Sequence, residues 1–311
     1  MTYAMQAKNE LARRELGGAC CQAAELTAFI RHSGNIQISE KRLALHVVTS
    51  NPAVARRIFS ILKQTFKFNS ELLVRRKIRL RKNNVYLIRI KEKEHVLKIL
   101  QALGLLIDGD LKQEISEKVR KKKCCRRAYL RGAFLASGSV TNPENSYHLE
   151  IFTAYQQQAD DLVSLMASFQ VTAKTISRKN GWLVYLKDSE QIVEFLNVIG
   201  AHNALLNFEN VRILKDLRNR VNRLINFETA NMNKTVDASV RQLEMIRLID
   251  EKVGLEALDA PLNEVARLRL AHPEASLQEL GDLLEPPLSK SGVNHRMRKL
   301  ETLSKQLAKD S

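Results

Sequence analysis

No run of apolar residues in these 311 residues approaches the ~18 that a membrane-spanning helix needs. Nor is there a secretory core at the start: Met1 to Gln22 reads as an amphipathic helix containing Glu10 and Glu15, so a soluble, intracellular, cytoplasmic protein is expected. Cysteine is scarce. Its four copies fall as two adjacent pairs, Cys20-Cys21 and Cys124-Cys125, and neighbours on a chain neither make a CxxC zinc knuckle nor normally bridge each other, so no disulfide, metal or cofactor is expected. Acid is in deficit too, with 34 Asp plus Glu against 50 Lys plus Arg, a formal charge of +16. That balance asks for a polyanionic partner, and double-stranded DNA leads the candidates. What is present suffices for folding: 44% apolar residues over 311 positions supply cores for about two domains.

The cysteine pairs lie 104 residues apart, and that shift aligns more of the chain. Cys20, Cys21, Ala24, Leu26, Ser33, Gly34, Leu45, Thr49, Ala55 and Ser60 meet Cys124, Cys125, Ala128, Leu130, Ser137, Gly138, Leu149, Thr153, Ala159 and Ser164 without a gap. Each copy reads as a helix, a glycine, strand, a second helix (Pro52 to Phe66; Gln156 to Phe169), a hairpin and a last helix. The hairpin turns are placed at Asn83-Asn84 and at Asn180-Gly181, the latter a type I′ signal. The last helices, Glu94 to Leu103 and Glu190 to Ile199, end at Gly104 and Gly200, which suits left-handed caps.

In both copies small residues recur every four positions on the first helix: Cys20, Ala24 and Ala28, then Cys124, Ala128, Gly132 and Ala136. Residues i and i+4 share a face, so two such helices can pack backbone to backbone. The segments Leu26-Thr-Ala-Phe-Ile-Arg-His-Ser-Gly34 and Leu130-Arg-Gly-Ala-Phe-Leu-Ala-Ser-Gly138 resemble the paired helices of single-chain LAGLIDADG homing endonucleases. The resemblance implies two pseudo-symmetric αββαββα halves. In that family an acid at the eighth motif position holds the divalent metal used for strand cleavage; here Ser33 and Ser137 stand there. A neutral hydroxyl replaces a carboxylate poorly as a ligand for a hard cation, so no catalytic residues and no nuclease activity are expected. Leu103 to Leu111 imitates the motif more literally but lacks its small third residue and terminal glycine. Its Asp108 and Asp110 are read as a solvated loop, and an endonuclease survives only if such acids reach the two helix ends.

From Leu72 to Lys91 there are eight bases and no acid, and Arg75, Lys77, Arg79 and Arg81 alternate so as to share one sheet face. In the resembled nucleases such saddle-shaped sheets line the DNA; a solvated edge strand guarded by bases is the plainer reading. Between the copies Lys118, Arg120, Lys121, Lys122, Lys123, Arg126 and Arg127 form another acid-free cluster, compatible with phosphate contact or a disordered tether.

Near residue 219 the composition shifts. Asn222, Asn226, Asn231 and Asn233 punctuate a polar stretch, read as a linker over 219–235 before a helix from Val236 to Val253. Then come a helix at Leu262 to Leu270, the capping box Ser276-Leu-Gln-Glu279 opening Leu277 to Leu284, and a basic helix from Ser291 to Leu307. Short helix, turn, longer basic helix is the helix-turn-helix order, whose second helix enters the major groove. Candidate contacts are Ser276, Lys290, Ser291, Asn294, His295, Arg296, Arg298 and Lys299. The whole layout, with Asn226-Phe-Glu-Thr-Ala-Asn-Met-Asn-Lys-Thr235 and Ser289-Lys-Ser-Gly-Val-Asn-His-Arg-Met-Arg-Lys-Leu300, resembles the bacterial WhiA family. That resemblance implies a DNA-binding regulator linked to sporulation, cell division or chromosome segregation.

The expected architecture is therefore α+β. A duplicated LAGLIDADG homing-endonuclease-like domain over 1–218 (repeats about 18–110 and 122–215) precedes an all-α helix-turn-helix domain over 236–311. The chain is expected to be a non-enzymatic, nucleoid-associated, sequence-specific transcriptional regulator, a monomer with an internal pseudo-two-fold. The competing reading makes the N-terminal domain a protein-interaction module and leaves DNA to the C-terminal domain.

Overall fold

A computed structural model describes residues 1–39, 42–68, 70–76 and 84–308. They divide into two compact units, Met1–Lys215 and Asp216–Ser311. The N-terminal unit opens with α1 (Tyr3–Arg13) and α2 (Ala19–Ser33), not with one helix through Gln22. The adjacent Gly17 and Gly18 break the run, and Gly18 becomes the N-cap of α2.

The first half continues with β1 (Gly34–Ser39), β2 (Arg42–Thr49), α3 (Pro52–Phe66), β3 (Glu71–Arg76), β4 (Asn84–Ile90) and α4 (Lys93–Ala102). A two-stranded ribbon, β5 (Leu106–Ile107) and β6 (Asp110–Leu111), and a short helix, α5 (Glu117–Lys121), lead to the second half. That half holds α6 (Lys123–Ser137), β7 (Gly138–Val140), β8 (Leu149–Thr153), α7 (Gln156–Ala167), β9 (Lys174–Arg178), β10 (Gly181–Leu186) and α8 (Ser189–Ile199). The αββαββα order thus occurs twice. Each half forms an antiparallel sheet, in orders β1-β2-β4-β3 and β7-β8-β10-β9.

Local chemistry sets these boundaries. Asn51 caps α3 by accepting from Ala53 N at 2.8 Å, with Pro52 at the first helical position. Gly104 and Gly200 take φ of +67° and +85° at the ends of α4 and α8, the left-handed caps expected of them. The second hairpin turns one residue earlier than expected. Arg178 pairs with Gly181, so Lys179 and Asn180 form the loop, and neither has positive φ. Gly181 is required for space instead: a Cβ there would lie 2.3 Å from Thr153 O on β8. The Asn83-Asn84 turn falls partly outside the described residues. The acid-free cluster between the copies is no disordered tether, because its residues build α5 and the start of α6.

Charge is also buried inside this unit. Glu25 on α2 pairs with Arg57 on α3 and, at 3.4 Å, with Arg131 on α6. Arg131 Nε further donates to Ile199 O at 2.8 Å. Asp161 on α7 binds Arg120 at 2.5 Å and the Ile115 N–H at 3.0 Å.

The helix α9 runs from His202 to Val253, so the proposed linker residues 219–235 are helical and no new helix begins at Val236. Residues 216–237 are all exposed. The C-terminal unit continues with α10 (Ala260–Ala271), α11 (Leu277–Asp282) and α12 (Lys290–Leu307). Its core gathers Ile246, Ile249, Val265, Leu280, Leu284, Val293, Met297 and Leu300.

Candidate nucleic-acid interface

The α2–α6 pair organises the N-terminal unit. The small-residue stripes face each other so closely that a Cβ on Gly132 would lie 2.6 Å from Glu25 O and 2.9 Å from Ala28 Cβ. At the C-terminal ends sit the two serines. Ser33 Oγ donates to Phe29 O at 2.9 Å, and Ser137 Oγ donates to Phe152 O at 2.7 Å. Both hydroxyl protons are thus spent on backbone. Asp108 and Asp110 lie on the exposed β5–β6 ribbon, with Asp108 and Gly109 at φ +53° and +87° in its turn. Among the described residues no carboxylate cluster suited to a metal ion forms at either helix end; the one cluster with ligand spacing is made of thiols. Beside the serine ends the ring nitrogens of His32 are buried, and that burial, reinforced by Arg31, pulls its imidazole down to about 3, so it is neutral.

Each sheet turns one face to the core and one away from it. On β2, Leu45 and Val47 are buried while Val48 is exposed. The same face carries Arg75 opposite Val85, Leu73 opposite Leu87, and Glu71 opposite Arg89. Arg75 is exposed; Lys77, Arg79 and Arg81 lie outside the described residues. Two bases of this sheet are already engaged: Lys91 and Arg89 lie 2.6 Å and 2.7 Å from Glu71 and hold its carboxyl below the usual range. In the second half Lys174, Ile176 and Arg178 stand on β9, opposite Tyr185, Leu183 and Gly181. Phe152 is exposed on β8, and Glu150 hydrogen-bonds His148 at 3.0 Å. Both open faces therefore mix bases with exposed apolar side chains.

In the C-terminal unit the helix-turn-helix is built by short-range contacts. Ser276 caps α11 by accepting from Glu279 N at 3.3 Å, while the Glu279 carboxylate accepts from Ser276 N at 2.7 Å. This hydroxyl serves the cap. Gly281 lets the chain return across α11: Leu288 N donates to Gly281 O at 2.9 Å, and a Cβ on Gly281 would lie 2.0 Å from Leu288 O. Ser289 then caps α12, accepting from Gly292 N at 3.3 Å. Buried Arg269 ties the preceding turn, donating through Nη1 to the carbonyls of His272 and Pro273 at 3.3 Å and of Ala275 at 2.5 Å.

On α12, Val293, Met297 and Leu300 face the core. Lys290, Ser291, His295, Arg298 and Lys299 are exposed. Arg296 turns the other way, 3.4 Å from Pro261 O and 3.8 Å from Glu264 on α10, so it braces the bundle. Asn294 is half-buried in a groove of about 720 Å³ between α9 and α12, together with Arg241, Arg298 and Glu301. Arg241 escaped the sequence reading because it lies some fifty residues from α12; the i+4 step from Asp237 to Arg241 on a helical pattern was its only signal.

Comparison with known proteins assigns both units. The family models described as "WhiA N-terminal LAGLIDADG-like domain", "WhiA LAGLIDADG-like domain" and "WhiA C-terminal HTH domain" match residues 19–106, 126–218 and 221–304. A protein of Desulforamulus reducens named "Probable cell division protein WhiA" is 53% identical over 99% of this chain and 96% of its own length. Its namesake from Bacillus subtilis is 51% identical over 99% and 97%. A crystal structure of full-length WhiA from Thermatoga maritima matches with a TM-score of 0.60 at 26% identity, covering 98% of this chain and 99% of that one.

Proposed function

The chain belongs to the WhiA family, and from that premise we propose that it is a non-enzymatic, sequence-specific DNA-binding protein that regulates transcription in the service of cell division, with chromosome segregation or sporulation as related outlets. The observation that carries this reading is α12. It follows a capped short helix and a tight turn, and it exposes Lys290, Ser291, His295, Arg298 and Lys299. A helix presented this way enters the major groove, where side chains near its N-terminus meet base edges and flanking bases meet phosphates. Its place of action is then chromosomal DNA in the cytoplasm, and the chain works as a monomer whose two halves imitate a dimer.

The absence of strand cleavage rests on Ser33 and Ser137, whose hydroxyls are bonded to carbonyl oxygens where cleavage needs paired acids. Purified protein with Mg²⁺ or Mn²⁺ should leave DNA uncut; cleavage abolished by Asp108→Ala would overturn this.

The DNA reading is tested by mapping bound chromosomal sites for the full chain and for Lys290→Ala/Arg298→Ala/Lys299→Ala. Site enrichment should vanish in the triple variant while the protein stays folded; unchanged enrichment would remove α12 from the interface. Exposed Phe152, Ile176 and Leu73 on the open sheet faces support a second reading, in which the N-terminal unit meets protein instead of DNA. Salt dependence separates the two. Each phosphate contact contributes about −0.9 to the slope of log affinity against log salt. Replacing Arg75, Lys77, Arg79 and Arg81 by Ala flattens the slope of the full chain only if that face touches DNA.

A further inference from the structure

The two ends of the α2–α6 pair differ in chemistry. Opposite the serines, Cys20 and Cys21 in the first turn of α2 meet Cys124 and Cys125 in the first turn of α6. All four are free thiols, and their sulfurs lie within 4.8 Å of one another. Cys124 and Cys125 Sγ are 4.0 Å apart, and Cys125 Sγ lies 3.6 Å from Cys20 O. Four sulfurs bound about 2.3 Å from one tetrahedral ion stand about 3.8 Å apart. Side-chain adjustments of about 1 Å at the longest edge would therefore close the cluster on an ion. Cys20 and Cys124 are exposed and Cys125 is buried, so the site is open on one side and seated on the helix pair on the other.

Once deprotonated, such a set asks for a cation at its centre. Four thiolates this close cannot coexist without positive charge between them. The surroundings can carry the dianion that four thiolates and a divalent ion leave, because two helix N-termini and Lys122 point at it. An all-sulfur tetrahedral set selects a soft or borderline ion over Mg²⁺ or Ca²⁺, and sulfurs this close fit a single ion rather than a multi-iron cluster.

We propose that Cys20, Cys21, Cys124 and Cys125 form a tetrathiolate zinc site that clips the N-terminal ends of α2 and α6 together across the two halves. Binding exchanges four S–H protons for four Zn–S bonds, with no redox change. The ion fastens the pair at one end, while Gly132 lets the backbones meet further along.

The test uses the full-length chain, reduced and stripped with a chelator, then titrated with Zn²⁺ against a competing chelator and separately with Co²⁺. The expected result is one ion per chain at a Kd below about 1 nM near neutral pH. Cobalt should give thiolate charge-transfer and tetrahedral d–d bands, and zinc should protect all four thiols from a thiol reagent. Cys20→Ser/Cys124→Ser should abolish the charge-transfer band. Because the decisive measurements are made on the unmodified chain, a variant that misfolds does not rescue the proposal. Thiols that stay reactive in excess zinc, an octahedral cobalt spectrum, or a Cys20–Cys125 or Cys21–Cys124 disulfide in freshly isolated protein would each overturn it.

Discussion

The two units dispose of their charge differently, although the C-terminal unit also buries one base, Arg269. In the N-terminal unit Glu25, Arg57, Arg131, Asp161 and Arg120 are drawn into contacts that hold helices to one another. In the C-terminal unit the bases of α12 stand exposed around a small apolar core, with only Arg296 turned back onto the bundle. A formal charge of +16 therefore does not by itself locate a DNA interface. What matters is which bases the fold has already consumed.

The contrast is broken most severely at Glu25. Glu25→Ala leaves buried Arg57 and half-buried Arg131 without their carboxylate, and should cost the N-terminal unit roughly 3 to 5 kcal/mol, read as a lower denaturant midpoint. Retained stability would mean that these arginines are not held as described. Gly132→Leu comes next. The added side chain must force α2 away from α6, for a loss of roughly 2 to 3 kcal/mol. An unchanged melting temperature would refute backbone-to-backbone packing.

Another effect is graded by pH. His32 is neutral when folded and titrates near 6.5 when unfolded, so the unfolded state takes up more protons between those values. Its share of stability is present above about 6.5 and is lost as pH falls toward about 3, by up to about 1.4 kcal/mol per unit. His32→Phe should flatten that acid slope, and an identical profile would show the ring to be hydrated. The smallest change in stability belongs to the other unit. Lys290→Ala/Arg298→Ala/Lys299→Ala should alter folding by no more than about 0.5 kcal/mol, yet reduce the magnitude of the salt slope of DNA binding by up to roughly 2.7.

Much of this was legible along the chain because duplication repeats its signals. Identical residues at Cys20, Ala24, Leu26, Ser33 and Gly34 and their partners located both motif helices, and Pro52, Gly104 and Gly200 marked helix ends correctly. The asparagines from Asn222 to Asn233 were misleading. Each weakens a helix by a fraction of a kcal/mol, and Arg223, Leu224, Glu228, Ala230 and Met232 between them favour it. Asn180-Gly181 misled differently, since its glycine answers to Thr153 O on a neighbouring strand rather than to the turn. The thiol cluster was hidden by a purely local spacing rule: the cysteines are paired by the fold, not by their neighbours in sequence. Arg296 shares the pattern of its basic neighbours and differs only in what α10 places behind it.

The passage between the halves is gripped by its backbone. Arg31, from the first half, donates to the carbonyl oxygens of Lys112, Gln113 and Glu114, and Asp161, from the second, accepts the Ile115 N–H. Such contacts need the peptide groups in place but not the covalent joint between them. The halves should accordingly behave as two proteins that happen to share a chain: a cut in this passage, or synthesis as two separate polypeptides, yields a bound pair rather than two unfolded fragments.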